Sequence, residues 1–338
     1  MRKPVVLVTG ANGEIGHALI AHLTARGRTP VVALDVNALD RALAHLVLRE
    51  FTGSTLDRSL LERILAEFEV DLVFHLAALL STRAEFTPVT AHQVNVEGTL
   101  NLLEFARKEG ASHGRPVVFI YPSSIAAYGI PDLETRARIG KVTEDEWNVP
   151  TTMYGCNKLY CEQLGRYYAR HYRQLGETVA TRIDFRCVRF PGLISATTVP
   201  SGGTSDYAAE MIHAAARGEP YACFVRPDTR IPFMAMPDAI EALIQLTAAP
   251  RDALSRTAYN VSAFNPSADE IRDVALRAFP NARINYRIDA KRQNILDSWP
   301  AEVDDGAARR DWGFAPKYDF TRAFDQYLIP TIRARHGT

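Results

Sequence analysis

The sequence predicts an α/β chain built on a doubly wound parallel sheet, with a smaller, partly interleaved C-terminal lobe. Three observations carry this. Short unbroken apolar runs alternate with helical patterns over the first half; a glycine-rich turn joins the first run to the first helix; the second half loosens into Pro- and Gly-bearing loops such as Pro191-Gly192 and Pro200-Ser201-Gly202-Gly203. Strands buried on both faces read as continuous apolar runs, and their alternation with helices means parallel βαβ units.

The elements follow in order. Val5-Val6-Leu7-Val8 is strand-like, and Ile15 to Arg26 has helical spacing through Ile15, Leu19, Ile20 and Leu23. Val31-Val32-Ala33-Leu34 forms a second strand, followed by a helical stretch around Asp40 to Leu48 and a longer one from Arg58 to Phe68. Leu72-Val73-Phe74-His75-Leu76, a helix from Val89 to Glu109, and Val117 to Tyr121 complete the alternation. This assigns residues 1–190 to a nucleotide-binding domain to which 231–262 return, and 191–230 with 263–338 to a substrate lobe.

Composition narrows the function. The chain has 338 residues, 39 basic against 39 acidic, and so no net charge. Nucleic-acid binding draws most of its affinity from a basic surface, and neutrality argues against it. No apolar stretch approaches the ~20 residues of a membrane-spanning helix, and the apolar run at Val5 leaves no room for a cleavable signal peptide. The four cysteines (Cys156, Cys161, Cys187, Cys223) show no C-x-x-C spacing, so neither a metal site nor a disulfide framework is signalled. A cytoplasmic, metal-free enzyme acting on a small molecule is expected, with no nucleic-acid or membrane partner.

Thr9-Gly10-Ala11-Asn12-Gly13-Glu14-Ile15-Gly16 lies between the first strand and first helix. Gly10, Gly13 and Gly16 let the backbone turn and approach a pyrophosphate, while the helix start offers free N–H groups and a positive dipole end. Asp35 ends the second strand at the distance expected of a carboxylate that grips a ribose diol. It would repel a 2′-phosphate, and no basic residue stands beside it, so NAD is favoured over NADP.

Tyr154-Gly155-Cys156-Asn157-Lys158 supplies the second anchor. Residues i and i+4 share a helix face, which brings the ammonium near the phenol. A phenol with a pKa near 10 must fall about three units to act as a base near neutrality, a cost of roughly 4 kcal/mol. A unit charge about 4 Å away at an effective dielectric near 20 supplies energy of that order. Ser124, at the end of the Tyr121-Pro122-Ser123-Ser124 strand, would hold the reacting hydroxyl. No His/Cys cluster signals a metal.

With these residues in place, the sequence resembles the extended short-chain dehydrogenases, the group of the sugar-nucleotide epimerases. More narrowly it resembles the short-chain-type L-threonine 3-dehydrogenases. The broad likeness rests on Gly10–Gly16, His75-Leu76-Ala77-Ala78, Asn95-Val96-Glu97-Gly98-Thr99, Ser123-Ser124 and Tyr154/Lys158, with Arg230 and Asp238. The narrow one rests on the stretches from His75 to Ser81, Arg189 to Ser195, Gly202 to Ala208 and Pro227 to Arg230, and on Asp297-Ser298-Trp299-Pro300. The resemblance implies that Gly10, Asn12, Gly13, Glu14, Ile15, Gly16, Asp35, Thr55, Leu76, Ala77, Ala78, Asn95, Tyr154, Lys158 and Pro191 serve the cofactor. It implies that Ser124, Tyr154 and Lys158 are catalytic, and that Ser81, Ser124, Thr204 and Trp299 line an amino-acid pocket.

Three departures bear on specificity. Gly53-Ser54 stands where the group usually has Gly-Asp for the adenine, leaving Thr55 or a backbone N–H to serve. Thr82-Arg83 replaces small residues after Ser81, and 131–149 is longer and more charged than expected and is placed over the site entrance. The resulting expectation is oxidation of a small β-hydroxy acid, L-threonine to 2-amino-3-ketobutyrate in particular, by a homodimer paired through the helices Val89–Glu109 and Tyr154–Arg173. A sugar-nucleotide epimerase, dehydratase or sugar dehydrogenase using bound NAD is the alternative, and a non-catalytic NAD-sensing regulator a more distant one.

Overall fold

The computed structural model describes residues 2–25, 27, 30–176, 182–198 and 202–337. Its strands are β1 (Lys3–Thr9), β2 (Val31–Asp35), β3 (Arg49–Thr52), β4 (Phe68–His75), β5 (Val117–Ser124), β6 (Lys141–Val142), β7 (Ile183–Phe190), β8 (Gly192–Ile194), β9 (Tyr221–Cys223), β10 (Phe233–Ala235), β11 (Ala258–Asn260), β12 (Ile284–Tyr286) and β13 (Glu302–Val303). Seven form the main sheet in the order β11-β7-β5-β4-β1-β2-β3, and β10-β8, β12-β9 and β13-β6 form three small pairs. All of these pairings are parallel.

The alternating pleat of β1 explains why its run is unbroken. Val5 and Leu7 join one core with Phe119 and Leu102, whereas Val6 and Val8 join another with Leu19 and Ile240. A third core, around Tyr207, Phe233 and Phe324, joins the C-terminal half to Ile125, Tyr128 and Val142. After β1 the chain winds outward through β2 and β3, then crosses back to place β4 on the other flank of β1. The strand order reverses there, which opens a crevice between the carboxyl ends of β1 and β4.

Several boundaries differ from expectation. The Asp40–Leu48 stretch is a single helical turn, Arg41–Ala44, started by the Asp40 side chain capping Ala42 N–H, after which the chain turns into β3. The first helix, α1, runs Glu14–Ala25; Arg26, Pro200 and Ser201 lie outside the described residues. The Val89–Glu109 pattern is one helical path with a π segment, Gln93–Glu97, between Pro88–His92 and Gly98–His113. Among the described residues no helix is long and apolar enough to cross a membrane, and no group of three His, Cys, Asp or Glu could hold a metal ion.

Candidate functional site

The crevice opens into a cleft of about 410 Å³. Gly10 adopts φ +67°, and a Cβ there would lie 2.5 Å from the Ala77 backbone nitrogen. A Cβ on Gly16 would overlap the Ala11 carbonyl. These glycines let the chain after β1 pass against the chain after β4, which brings the glycine loop beside Leu76-Ala77-Ala78. Gly10, Gly13, Glu14, Ile15, Gly16, Asp35, Thr55, Leu76, Ala77 and Ala78 all line the cleft. The Asp35 carboxylate accepts the N–H groups of Asn12 and Asn37, each at 3.0 Å.

Two residues assigned to the cofactor from sequence face elsewhere. The Asn12 carboxamide donates to the carbonyls of Asn37 (3.3 Å) and Ala38 (2.8 Å) and accepts Asp40 N–H (2.9 Å), so it pins the loop after β2. Asn95 is buried and brackets Leu79, accepting its N–H at 2.8 Å and donating to its carbonyl at 3.1 Å. Neither side chain lines the cleft.

Further along, the helix Met153–Arg170 starts where Thr152 accepts Gly155 N–H at 3.1 Å. A Cβ on Gly155 would strike the Ala126 carbonyl, so the first turn of this helix lies on the turn that follows Ser124. That approach sets Tyr154 beside Ser124, whose Oγ also accepts Ala126 N–H at 3.1 Å. Lys158 Nζ donates to the Pro122 carbonyl at 2.6 Å and sits 4.5 Å from the Tyr121 ring centre and 5.5 Å from that of Tyr154. Burial lowers the Lys158 ammonium to about 8.

Burial also raises the Tyr154 phenol above its ordinary value, with the Ser124 hydroxyl pulling it back. The i, i+4 spacing predicts that Lys158 lowers that phenol. In the structure the ammonium is turned to a carbonyl and desolvation wins. One helical turn on, Glu162 pairs with Arg189 at 2.7 Å and accepts the Ser123 hydroxyl at 2.5 Å, a buried network behind the Tyr/Lys pair. Sequence reasoning did not single it out, although the i+4 spacing from Lys158 was available.

Ser81, Thr204 and Trp299 line the same cleft as Ser124, Tyr154, Lys158 and Pro191. The 131–149 segment does not cover the entrance: none of its residues lines the cleft. It braces the site from behind instead. Arg136 Nε donates to the Trp299 carbonyl at 2.7 Å and its other arm to the Arg230 carbonyl, while β6 pairs with β13 just after Trp299. Arg83 is exposed and outside the cleft. Ser205, Asp206 and Met236 also line it. The first two lay within a stretch the resemblance had marked; nothing in the sequence flagged Met236.

Residues 6–262 match the NAD dependent epimerase/dehydratase family. The chain belongs to that family. Among curated proteins it is 33% identical to the mitochondrial L-threonine 3-dehydrogenase of Bos taurus, over 98% of this chain and 83% of the relative. Among solved structures it is similar to a monomeric L-threonine 3-dehydrogenase from a metagenome in its apo form, with TM-score 0.87 and 34% identity over 98% of this chain and 100% of that one. It is also similar to the holo form of a GalE-like L-threonine dehydrogenase from Cupriavidus necator, with TM-score 0.84 and 36% identity over 97% and 99% of the two chains. NAD is the cofactor of this family member. The cleft fits it: a glycine cradle that side chains would fill lies at one end of the path, and a carboxylate suited to a ribose diol ends β2.

Proposed function

We propose that the chain is an NAD-dependent dehydrogenase of a small β-hydroxy acid, with L-threonine as substrate and 2-amino-3-ketobutyrate as product. The observation that carries this reading is the shared cleft: the hydrogen-bonded pair Ser81 and Thr204, with Trp299, shares one space with Tyr154 and the glycine loop. When bound, NAD supplies the hydride acceptor and a positive charge beside the phenol. Tyr154, held as the phenolate by this charge and that of Lys158, takes the hydroxyl proton of the substrate as the hydride leaves the same carbon. Ser124 holds the reacting oxygen, and Lys158 fixes the geometry through Pro122 and supplies positive charge. NADH formation with L-threonine, other β-hydroxy acids, sugar acids and UDP-sugars tests the reading. Turnover of L-threonine supports it, and turnover of sugar derivatives alone overturns it.

The same reading divides the chain into an NAD-binding body, 1–190 with 231–262, and a substrate lobe, 191–230 with 263–338. The pairing of β11 with β7 supports the return of 231–262 to the body. A homodimer is proposed as the assembly, on the exposed Val89, Tyr160 and Tyr167 carried by the two helices. The metagenomic relative is described as monomeric, so light scattering at several concentrations tests it; a single monomeric mass overturns it. A cytoplasmic location is proposed on four free thiols, three of them buried; the bovine relative is mitochondrial.

A further inference from the structure

Glu14 places an acid inside the cradle meant for an anion. It is the first residue of α1 and lines the cleft between Gly13 and Gly16. The groups facing it come from three other segments. Asp206, at the start of the Tyr207–Ala216 helix, acts on it electrostatically, and the Thr198 hydroxyl lies beside it. Tyr327, from the π segment Ala323–Leu328, feels its charge. On α1 itself, His17 lies three residues further along. Among the described residues that line the cleft, the one cation is Lys158, and its ammonium is committed to the Pro122 carbonyl.

The two carboxyl groups are not equivalent. Asp206 Oδ2 already accepts the N–H groups of Gly202 (2.9 Å) and Gly203 (2.5 Å). Glu14 has burial and that neighbouring charge against its ionised form, which raise its carboxyl to about 7. A dinucleotide diphosphate laid on the Gly10–Gly16 backbone would bring two further negative charges to the same place.

We propose that Glu14 must carry a proton for the NAD diphosphate to seat on this loop, so that cofactor binding is coupled to proton uptake. The inference rests on NAD as the cofactor. In the protonated form Glu14 is a neutral donor facing phosphate oxygens; ionised, it is a third acid beside Asp206 and the diphosphate. Cofactor affinity is then flat at acid pH and weakens about tenfold per pH unit above the carboxyl's titration in the empty cleft.

The experiment measures NADH dissociation constants by fluorescence from about pH 6 to about pH 9, with calorimetry near pH 8 in buffers of different ionisation enthalpy. The wild-type chain should take up close to one proton per NADH. Glu14→Gln should take up none from this source, bind NADH more tightly than wild type near pH 8, and match it at the acid end. Any exchange at Lys158 is common to both proteins and cancels in the comparison. Equal proton uptake and equal pH profiles in wild type and Glu14→Gln overturn the proposal alone. Absence of NADH binding to either protein at every pH overturns the cofactor reading and this one with it.

Discussion

Ser81 Oγ accepts two hydrogen bonds from Thr204, one from its backbone N–H at 3.2 Å and one from its hydroxyl at 2.9 Å. Both residues are buried, and they are separated by 123 positions in the chain. A serine oxygen has two lone pairs and one proton, so with both lone pairs engaged the Ser81 O–H is left to donate. Its available direction is the cleft that both residues line. The pair therefore joins the loop after β4 to the loop of the C-terminal half and offers a substrate oxygen a donor.

Ser81→Ala removes this donor and leaves two Thr204 groups without their acceptor. An unpaired buried polar group costs about 1–3 kcal/mol. Urea unfolding should show a loss of that size, and KM for L-threonine should rise about tenfold or more for a lost substrate hydrogen bond of ~1.4 kcal/mol. Unchanged threonine kinetics would remove Ser81 from the pocket.

Tyr154→Phe keeps the ring that packs beside Ser124 and removes only the proton acceptor. If the phenol is the base, kcat should fall by about 10²–10⁴, the usual range for one acid–base group. NADH binding and the thermal midpoint should stay near wild type. A variant that retains most of its kcat would mean the proton leaves by another path.

The sheet was readable because burial on both faces leaves an unbroken apolar run, as in Val5–Val8. The Tyr154/Lys158 pair and the glycine loop were readable because helix geometry and backbone turns impose short, fixed spacings. What escaped depends on contacts between distant segments. No local pattern connects Arg136 to the Trp299 carbonyl or Glu162 to Arg189, and none brings Glu14 towards Asp206. Asn12 and Asn95 sit in cofactor-type motifs, yet their carboxamides have nearer partners in Ala38, Asp40 and Leu79, and local hydrogen bonds decide where they point.

Gly10 and Gly114 separate two reasons for a glycine. Both have positive φ, +67° and +81°, but a Cβ on Gly114 meets nothing within 4 Å, whereas one on Gly10 meets Ala77. Gly114→Ala should therefore cost only the left-handed backbone penalty of about 1 kcal/mol. Gly10→Ala adds a collision with backbone in the cofactor cleft, so it should lose more stability and most of its NADH affinity. Similar losses in the two variants would show that the close approach at Ala77 has no consequence.

His75 makes the fold sensitive to acid, and its neighbours define how. Its Nδ1 lies 2.8 Å from Thr9 Oγ1 and its Nε2 lies 2.9 Å from Thr99 Oγ1. Thr99 gives its hydroxyl proton to the Asn95 carbonyl at 2.6 Å, so it must accept from His75 Nε2–H. Nδ1 is then the bare nitrogen, and it accepts the Thr9 hydroxyl. A second proton on the ring would break that bond, and burial with the charge of Lys158 lowers the imidazole to about 3. In the unfolded chain the ring titrates near 6.5. Between those values the unfolded state binds the extra proton, so stability falls as pH drops from about 6.5 towards 3, by at most about 1.4 kcal/mol per unit from this group. Urea unfolding at several pH values should show a shallower acid slope for His75→Gln, which cannot take up that proton. Equal slopes would assign the acid loss to carboxylates instead. Thr9 also accepts Ala77 N–H at 3.4 Å, so the strain of a protonated His75 reaches the backbone that lines the cofactor cleft. NADH affinity should nevertheless hold through the acid range and weaken only near pH 3, where the folded ring takes its second proton.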